Sequence, residues 1–219
     1  MICKNIAQIK SNIPEDICLV AVSKTKPASD ILEAYNCNHK HFGENKVQEL
    51  VAKYEELPKD INWHMIGHLQ RNKVKYIASF VHLIHGVDNL KLLKEINKQG
   101  AKNNRQINIL LQVKIAQEDT KFGLQEDVLK EIIDLYLQNS FKNIKILGLM
   151  GMATNTDNAE QVAEEFAYLH QLFTRHQKQI PEMQHLSMGM SADYMLAIAQ
   201  GSNMIRVGSA IFGGRSYTN

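Results

Sequence analysis

Short apolar runs alternate along the chain with longer segments that carry their hydrophobic residues on one helical face. The runs fall at residues 17–22, 41–43, 62–67, 81–87, 107–115, 144–150, 185–188 and 204–207. Several are nearly continuous in Val, Ile, Leu and Met, the pattern of a strand covered on both faces. Between them lie helical patterns at 28–35, 45–56, 69–78, 90–98, 125–137, 159–178 and 191–199. In the fifth of these, Val128, Ile132, Ile133, Leu135 and Tyr136 form a broad stripe of the kind a packed helix buries. Strands joined by helices obey the right-handed crossover rule and predict a parallel sheet. Such a sheet either closes into a barrel or lies open and doubly wound. The 219 residues suit a compact (β/α)8 barrel, near the lower end of the usual length. The runs at 41–43 and 185–188 are the weakest strands on periodicity alone.

Composition changes this picture little. Only four prolines occur, and no Pro/Gly/Ser-rich linker interrupts the pattern, so one domain over residues 1–219 is expected. Hydrophobic residues make up 44% and charged residues 22%, an ordinary globular balance. A formal net charge of +2, with both signs interspersed, argues against a nucleic-acid surface. No apolar run approaches the roughly 20 residues of a bilayer span, and the polar N-terminus MICKNIAQIK is no secretory signal. A cytoplasmic protein with no membrane partner is expected. The cysteines, Cys3, Cys18 and Cys37, are odd in number and share no metal-site spacing, which suits thiols in a reducing compartment.

In such a barrel the chemistry gathers where strands end and helices begin. The first strand runs into Ser23-Lys24-Thr25-Lys26-Pro27. A lysine at a barrel mouth is partly desolvated, and its neutral amine can attack an aldehyde. The alternative is a lysine that reaches into water from a strand end, and spacing does not choose between Lys24 and Lys26. After the last strand, Gly208-Ser209 offers a close backbone approach and a helix N-terminus, an arrangement that binds anions. Ser191, at the matching point after the seventh strand, either adds a hydroxyl or serves as an ordinary N-cap. Arg206 is placed to point into the mouth. Its partner is then a ring nitrogen of a bound cofactor, or Glu44 or Asp193 in a structural ion pair. His64 and His68 lack the pattern of a metalloprotease helix, so no metal site is expected and His64 reads as a satisfied core or mouth histidine. Met188, Met190 and Met195 read as core filling. There is no G-x-G-x-x-G, Walker or G-x-S-x-G motif.

Six motifs occur in order: AVSKTKP at 21–27, FGEN at 42–45, WHMIGHLQRNK at 63–73, KFG at 121–123, LSMGMSADY at 186–194 and RVGSAIFG at 206–213. Together they resemble the pyridoxal phosphate homeostasis protein family over essentially the whole chain. The resemblance implies the barrel of the alanine racemase N-terminal domain, fold type III among enzymes of pyridoxal 5′-phosphate (PLP). It implies that Lys24 carries PLP as a Schiff base and that Ser191, Gly208 and Ser209 hold the phosphate. Arg206 then faces the pyridine nitrogen, and Asn45 is a further cofactor contact. Family members often carry threonine where this chain has Ser209, and the hydroxyl is kept. An arginine does not leave a protonated pyridine beside it, so carbanion chemistry is weakened. The resemblance therefore points to a non-catalytic, monomeric PLP carrier that takes part in PLP homeostasis and hands the cofactor to apo-enzymes. The alternative is a racemase-like PLP enzyme acting on a small amino acid. That needs an acid or base on each face of the cofactor. The second, β-rich domain and tyrosine base of alanine racemases have no expected counterpart, and Tyr217 in the tail is given no catalytic role.

Overall fold

The computed structural model describes residues 1–118 and 121–214. Eight strands, all parallel, close into one barrel in chain order, which removes the open-sheet alternative. They are β1 (Cys18–Val22), β2 (His41–Glu44), β3 (Asn62–Met65), β4 (Leu83–Val87), β5 (Ile107–Gln112), β6 (Ile144–Met150), β7 (His185–Ser187) and β8 (Met204–Val207). Closure runs through β1 and β8, with Cys18 opposite Met204 and Val20 opposite Arg206. The helices are α1 (Ile2–Ser11), α2 (Ala28–Asn36), α3 (Val47–Glu56), α4 (Val74–Ile77), α5 (Leu90–Lys102), α6 (Glu126–Leu137), α7 (Ala159–Gln177), α8 (Tyr194–Ala199) and α9 (Ser209–Phe212).

Alternation along each strand divides the apolar residues between two cores. Outward-facing Phe42, Trp63, Met65, Ile109 and Leu186 pack under the helices. Inward-facing Val20, Leu83, Leu110, Met150 and Met204 fill the barrel itself. A strand buried on both faces has no polar side to present, which is why the runs read as continuous rather than alternating. The β5–β6 pairing shifts register between Ile109 and Leu110, where Gly148 enters. A Cβ at Gly148 would stand 1.7 Å from His185 O, and its φ is +156°, so this bulge accepts only glycine.

The departures from the sequence pattern are local. Helix α1 was not anticipated, although Ile2, Ile6 and Ile9 recur at helical spacing and are buried. The pattern at 69–78 yields only a 3-10 turn at Arg71–Lys73 and the single turn of α4. The patterns beginning at 45 and 191 start as helix at Val47 and Tyr194, because the residues before them build the mouth. Met188 fills core as expected. Met190 and Met195 do not, being 38% and 54% exposed.

The cysteines require a correction. Cys3 and Cys37 form a disulfide across α1 and the C-cap of α2, with Cα atoms 5.9 Å apart, and Cys18 alone is a thiol. Their separation of 34 residues carried no signal; the packing of α1 on α2 creates the proximity. On the chain-entropy model a loop of this size stabilises the fold by about 2–4 kcal/mol. Cys3→Ser is therefore expected to lower the melting temperature by roughly 5–15 °C, as read by circular dichroism on oxidised protein. Titration of denatured, unreduced wild type should find one thiol equivalent; three equivalents would show that the bridge does not form.

Candidate functional site

At the end of β1 the chain turns tightly. Ser23 N donates to Gly43 O at 3.0 Å, Lys26 N donates back to Ser23 O at 3.0 Å, and Thr25 takes a left-handed φ of 64°. A charged bracket beneath holds this turn. Lys53 Nζ donates to Ser23 O (2.8 Å), Glu44 Oε1 (2.8 Å) and Glu49 Oε1 (2.7 Å). Ser23 Oγ donates to Glu44 Oε1 at 2.5 Å, and Thr25 N donates to Glu49 Oε1 at 2.6 Å. Glu44 and Lys53 are buried. Burial pushes the Glu44 carboxyl above its usual range, and the Lys53 charge and hydrogen bond pull it partly back. The bracket fixes the backbone on both sides of Lys24, whose side chain lines the mouth cavity. Lys26 also lines this cavity, and its Nζ donates to Phe212 O and Gly214 O, both at 3.0 Å, and so caps the end of α9.

The cavity measures about 490 Å³. Lys24, Asn45, Ser191, Arg206, Gly208 and Ser209 all line it, so the fold brings together every site residue expected from the sequence. Ser191 is not an N-cap, since α8 starts after Asp193; its Oγ accepts from Gly208 N at 3.2 Å and ties the β7 loop to the β8 loop. The first turn of α9 leaves the Ser209 and Ala210 N–H groups without intrahelical acceptors. Two further cavities, of about 600 and 710 Å³, lie at the N-terminal ends of the strands and contain none of these residues. We place the site at the smaller, C-terminal cavity, where barrels gather convergent polar groups.

Arg206 is buried, and among the described residues it pairs with no carboxylate. Glu44 belongs to the Lys53 bracket, and Asp193 Oδ1 accepts from Met190 N. Arg206 Nη1 donates to Ser187 Oγ (2.6 Å) and Nη2 to Gly151 O (3.1 Å). Burial brings its pKa down to about 10, with Asp193 acting in the opposite sense, so it stays a cation at neutral pH. Behind it a hydrogen-bonded line crosses the barrel interior. Ser187 Oγ meets His85 Nδ1 at 3.1 Å, His85 Nε2 meets His64 Nδ1 at 2.9 Å, and His64 Nε2 meets His41 Nδ1 at 3.0 Å. His64 is thus the satisfied core histidine that the sequence suggested.

The sequence reading did not name the cavity's outer wall. There Phe122, 57% exposed, stacks on His68 with ring centroids 4.5 Å apart. Gln112 Nε2 donates to Phe122 O (2.8 Å), and His68 Nδ1 bonds Asp88 Oδ2 (2.8 Å). The signal was available, since both rings sit in motifs at strand ends. Arg215 and Tyr217 lie outside the described residues.

One feature tests whether these residues suit a phosphorylated pyridine aldehyde. Asn45 Oδ1 is buried without a hydrogen-bond partner, and a buried acceptor of this kind calls for a donor from a bound group. Beside it, Gly67 packs so closely that a Cβ would stand 2.6 Å from Asn45 O, which leaves no room for a side chain at that position. A lysine, an arginine donor, a serine hydroxyl and open N–H groups complete a donor set that fits an aldehyde, a ring nitrogen and a phosphate.

A parallel barrel with a lysine after β1 and open N–H groups after β8 defines the class, and comparison with known proteins agrees. The family described as alanine racemase, N-terminal domain, matches residues 1–216. The pyridoxal phosphate homeostasis protein of Aquifex aeolicus is 42% identical over 201 residues, 91% of this chain and 87% of that protein. The one from Escherichia coli strain K12 is 36% identical over 231 residues, 99% and 98% of the two chains. The structure of PipY from Synechococcus elongatus with PLP bound superposes with a TM-score of 0.89 at 35% identity, over 97% of this chain and 100% of that one. Alanine racemase of Clostridium difficile shares the fold, with a TM-score of 0.78 at 16% identity over 99% of this chain and 60% of its own. The chain belongs to the alanine racemase N-terminal domain family and, within it, to the pyridoxal phosphate homeostasis proteins.

Proposed function

We propose that the barrel mouth binds PLP through a covalent bond from Lys24 and that the protein is a carrier. On this reading it limits the free aldehyde and passes it to apo-enzymes, as a one-domain monomer in the cytoplasm. The observation that carries the proposal is the convergence of Lys24, Asn45, Ser191, Arg206, Gly208 and Ser209 on one cavity. Among the described residues, no helix is long and apolar enough to cross a membrane.

The bound cofactor supplies a reactive aldehyde carbon and an electron-withdrawing ring. The chain's residues position it. The Lys53–Glu44–Ser23 bracket holds the Lys24 turn, and the N–H groups of Ser209 and Ala210, with the Ser191 and Ser209 hydroxyls, take the phosphate. Arg206 stays protonated and offers N–H donors, which hold a ring nitrogen in its unprotonated form. That arrangement favours storage over proton abstraction at a substrate carbon.

Borohydride reduction of protein loaded with PLP, followed by peptide mapping, tests the assignment. The label should sit on Lys24, and Lys24→Ala should lose both the label and the long-wavelength absorption. Label retained in Lys24→Ala but lost in Lys26→Ala would reverse the choice of lysine. Incubation with L-alanine in D₂O should leave the Cα proton unexchanged at enzyme-like rates; rapid exchange would favour the racemase-like alternative.

A further inference from the structure

At the end of the barrel opposite the mouth, three imidazoles converge from adjacent strands. His41 opens β2, His64 is the third residue of β3, and His82 precedes β4, its N–H held by Trp63 O at 2.9 Å. Their ring centroids lie 5.2 Å (His41–His64), 5.2 Å (His64–His82) and 5.7 Å (His41–His82) apart. One ligating atom from each falls within 4.8 Å of the others. We propose that His41, His64 and His82 form a binding site for a divalent transition-metal ion of the zinc class, separate from the cofactor cavity.

The geometry is close to what such an ion requires. Tetrahedral zinc with Zn–N bonds of about 2.0–2.1 Å spaces its nitrogens about 3.3 Å apart. His41 Nδ1 and His64 Nε2 already stand 3.0 Å apart, and His41 and His82, both half-buried, have room to turn inward. A metal ligand must be a neutral imidazole. His64 is buried and His41 and His82 are half-buried, surroundings that favour the neutral ring. The donor set is nitrogen only. Lys10 and Arg105 bring positive potential that opposes any divalent ion, so strong imidazole bonds must outweigh it; among the described residues no carboxylate joins the set. Oxygen-seeking Mg²⁺ and Ca²⁺ are thereby disfavoured, and an ion with strong imidazole bonds is selected.

The second sphere is in place. A metal on His64 Nε2 puts that ring's proton on Nδ1, where His85 Nε2 accepts it at 2.9 Å. His85 then donates from Nδ1 to Ser187 Oγ, which accepts from Arg206 as well. The ion therefore selects one of the two polarities open to the internal line. The cavity of about 710 Å³ lined by His41, Asn62 and Cys18 reaches one of the ligands from solvent, and water would take the fourth position of a tetrahedral ion.

The site stands independently of the cofactor reading, and so does its test. Full-length protein, stripped with chelator, is titrated with Co²⁺ and then Zn²⁺, following the cobalt d–d bands and heat. One Co²⁺ per chain is expected, with bands of a low-coordinate nitrogen site and displacement by Zn²⁺. His41→Ala and His82→Ala should each weaken binding at least about 10-fold, with far-UV circular dichroism unchanged. His68→Ala, at the opposite end, should bind as wild type. The proposal fails if stoichiometric binding persists undiminished in both the His41 and His82 variants, or if wild type binds no ion tighter than those variants do.

Discussion

Lowering the pH from 7 to 4 is expected to unfold this protein cooperatively, with uptake of several protons per chain. The barrel and its lower rim bury histidines that burial keeps neutral. His39 and His41 are brought down to about 4, His64 and His85 well below their usual range, and His82 and His185 lower as well. The unfolded chain takes up these protons near pH 6.5, whereas the folded chain resists. Below 6.5 the unfolded state therefore binds more protons, so stability is full above that pH and falls as the pH drops towards 4. His39 is 3% exposed, and its shift from 6.5 to about 4 corresponds to about 3 kcal/mol lost by pH 4. His41 contributes less, since part of its ring meets water, while His64 and His85 add in the same direction. Against a typical total of about 5–15 kcal/mol, these losses are enough to unfold the chain. Glu44 acts in the opposite sense, gaining stability as the pH falls from its raised folded value to the ordinary carboxylate value. Urea denaturation at stepped pH would measure the effect, and His39→Gln should recover up to about 3 kcal/mol at pH 4. Stability that stays flat from pH 7 to 4 would show that the buried rings titrate freely.

Much of the barrel and most of its mouth were legible in the sequence, for a physical reason. Strands buried on both faces leave continuous runs such as 144–150, and mouth chemistry sits at strand ends, where polar residues interrupt those runs. Lys24, Ser191, Arg206, Gly208 and Ser209 each stand at such an interruption. What the sequence withheld depends on contacts between distant segments. Lys24 and Lys26 are equivalent by spacing, and the reach of Lys26 to the carbonyls at the end of α9 appears only in the folded chain. Cys3 and Cys37 meet because α1 packs on α2, and nothing in a separation of 34 residues announces it. His41, His64, His82 and His85 read as unrelated residues of three strands, and only closure of the barrel lines them up. Lys53 was hidden in the helical pattern of α3, although it is buried and holds the turn that presents Lys24.

Lys53→Met should accordingly destabilise the fold by about 3–5 kcal/mol, the usual result of leaving one member of a buried ion pair without its partner. Glu44 is fully buried, and its Oε2 has no hydrogen-bond partner, so the Lys53 ammonium carries most of its compensation. Removing that ammonium removes both the charge and the hydrogen bond that hold the Glu44 carboxyl down, and burial then drives it further up. An acid whose folded pKa is raised favours the fold below its unfolded value, and that contribution is lost as the pH rises through the folded value. The deficit of Lys53→Met relative to wild type should thus be largest at neutral pH and shrink on acidification. Pairing it with Glu44→Gln should restore most of the stability, because the uncompensated charge is gone. It should not restore the Lys24 turn fully, since Ser23 O has lost the Lys53 ammonium and keeps only Lys26 N as a donor; PLP uptake by the double variant should remain weaker than that of wild type. Equal destabilisation in the single and double variants, from denaturant curves at pH 7, would mean that the bracket acts by packing and not by charge.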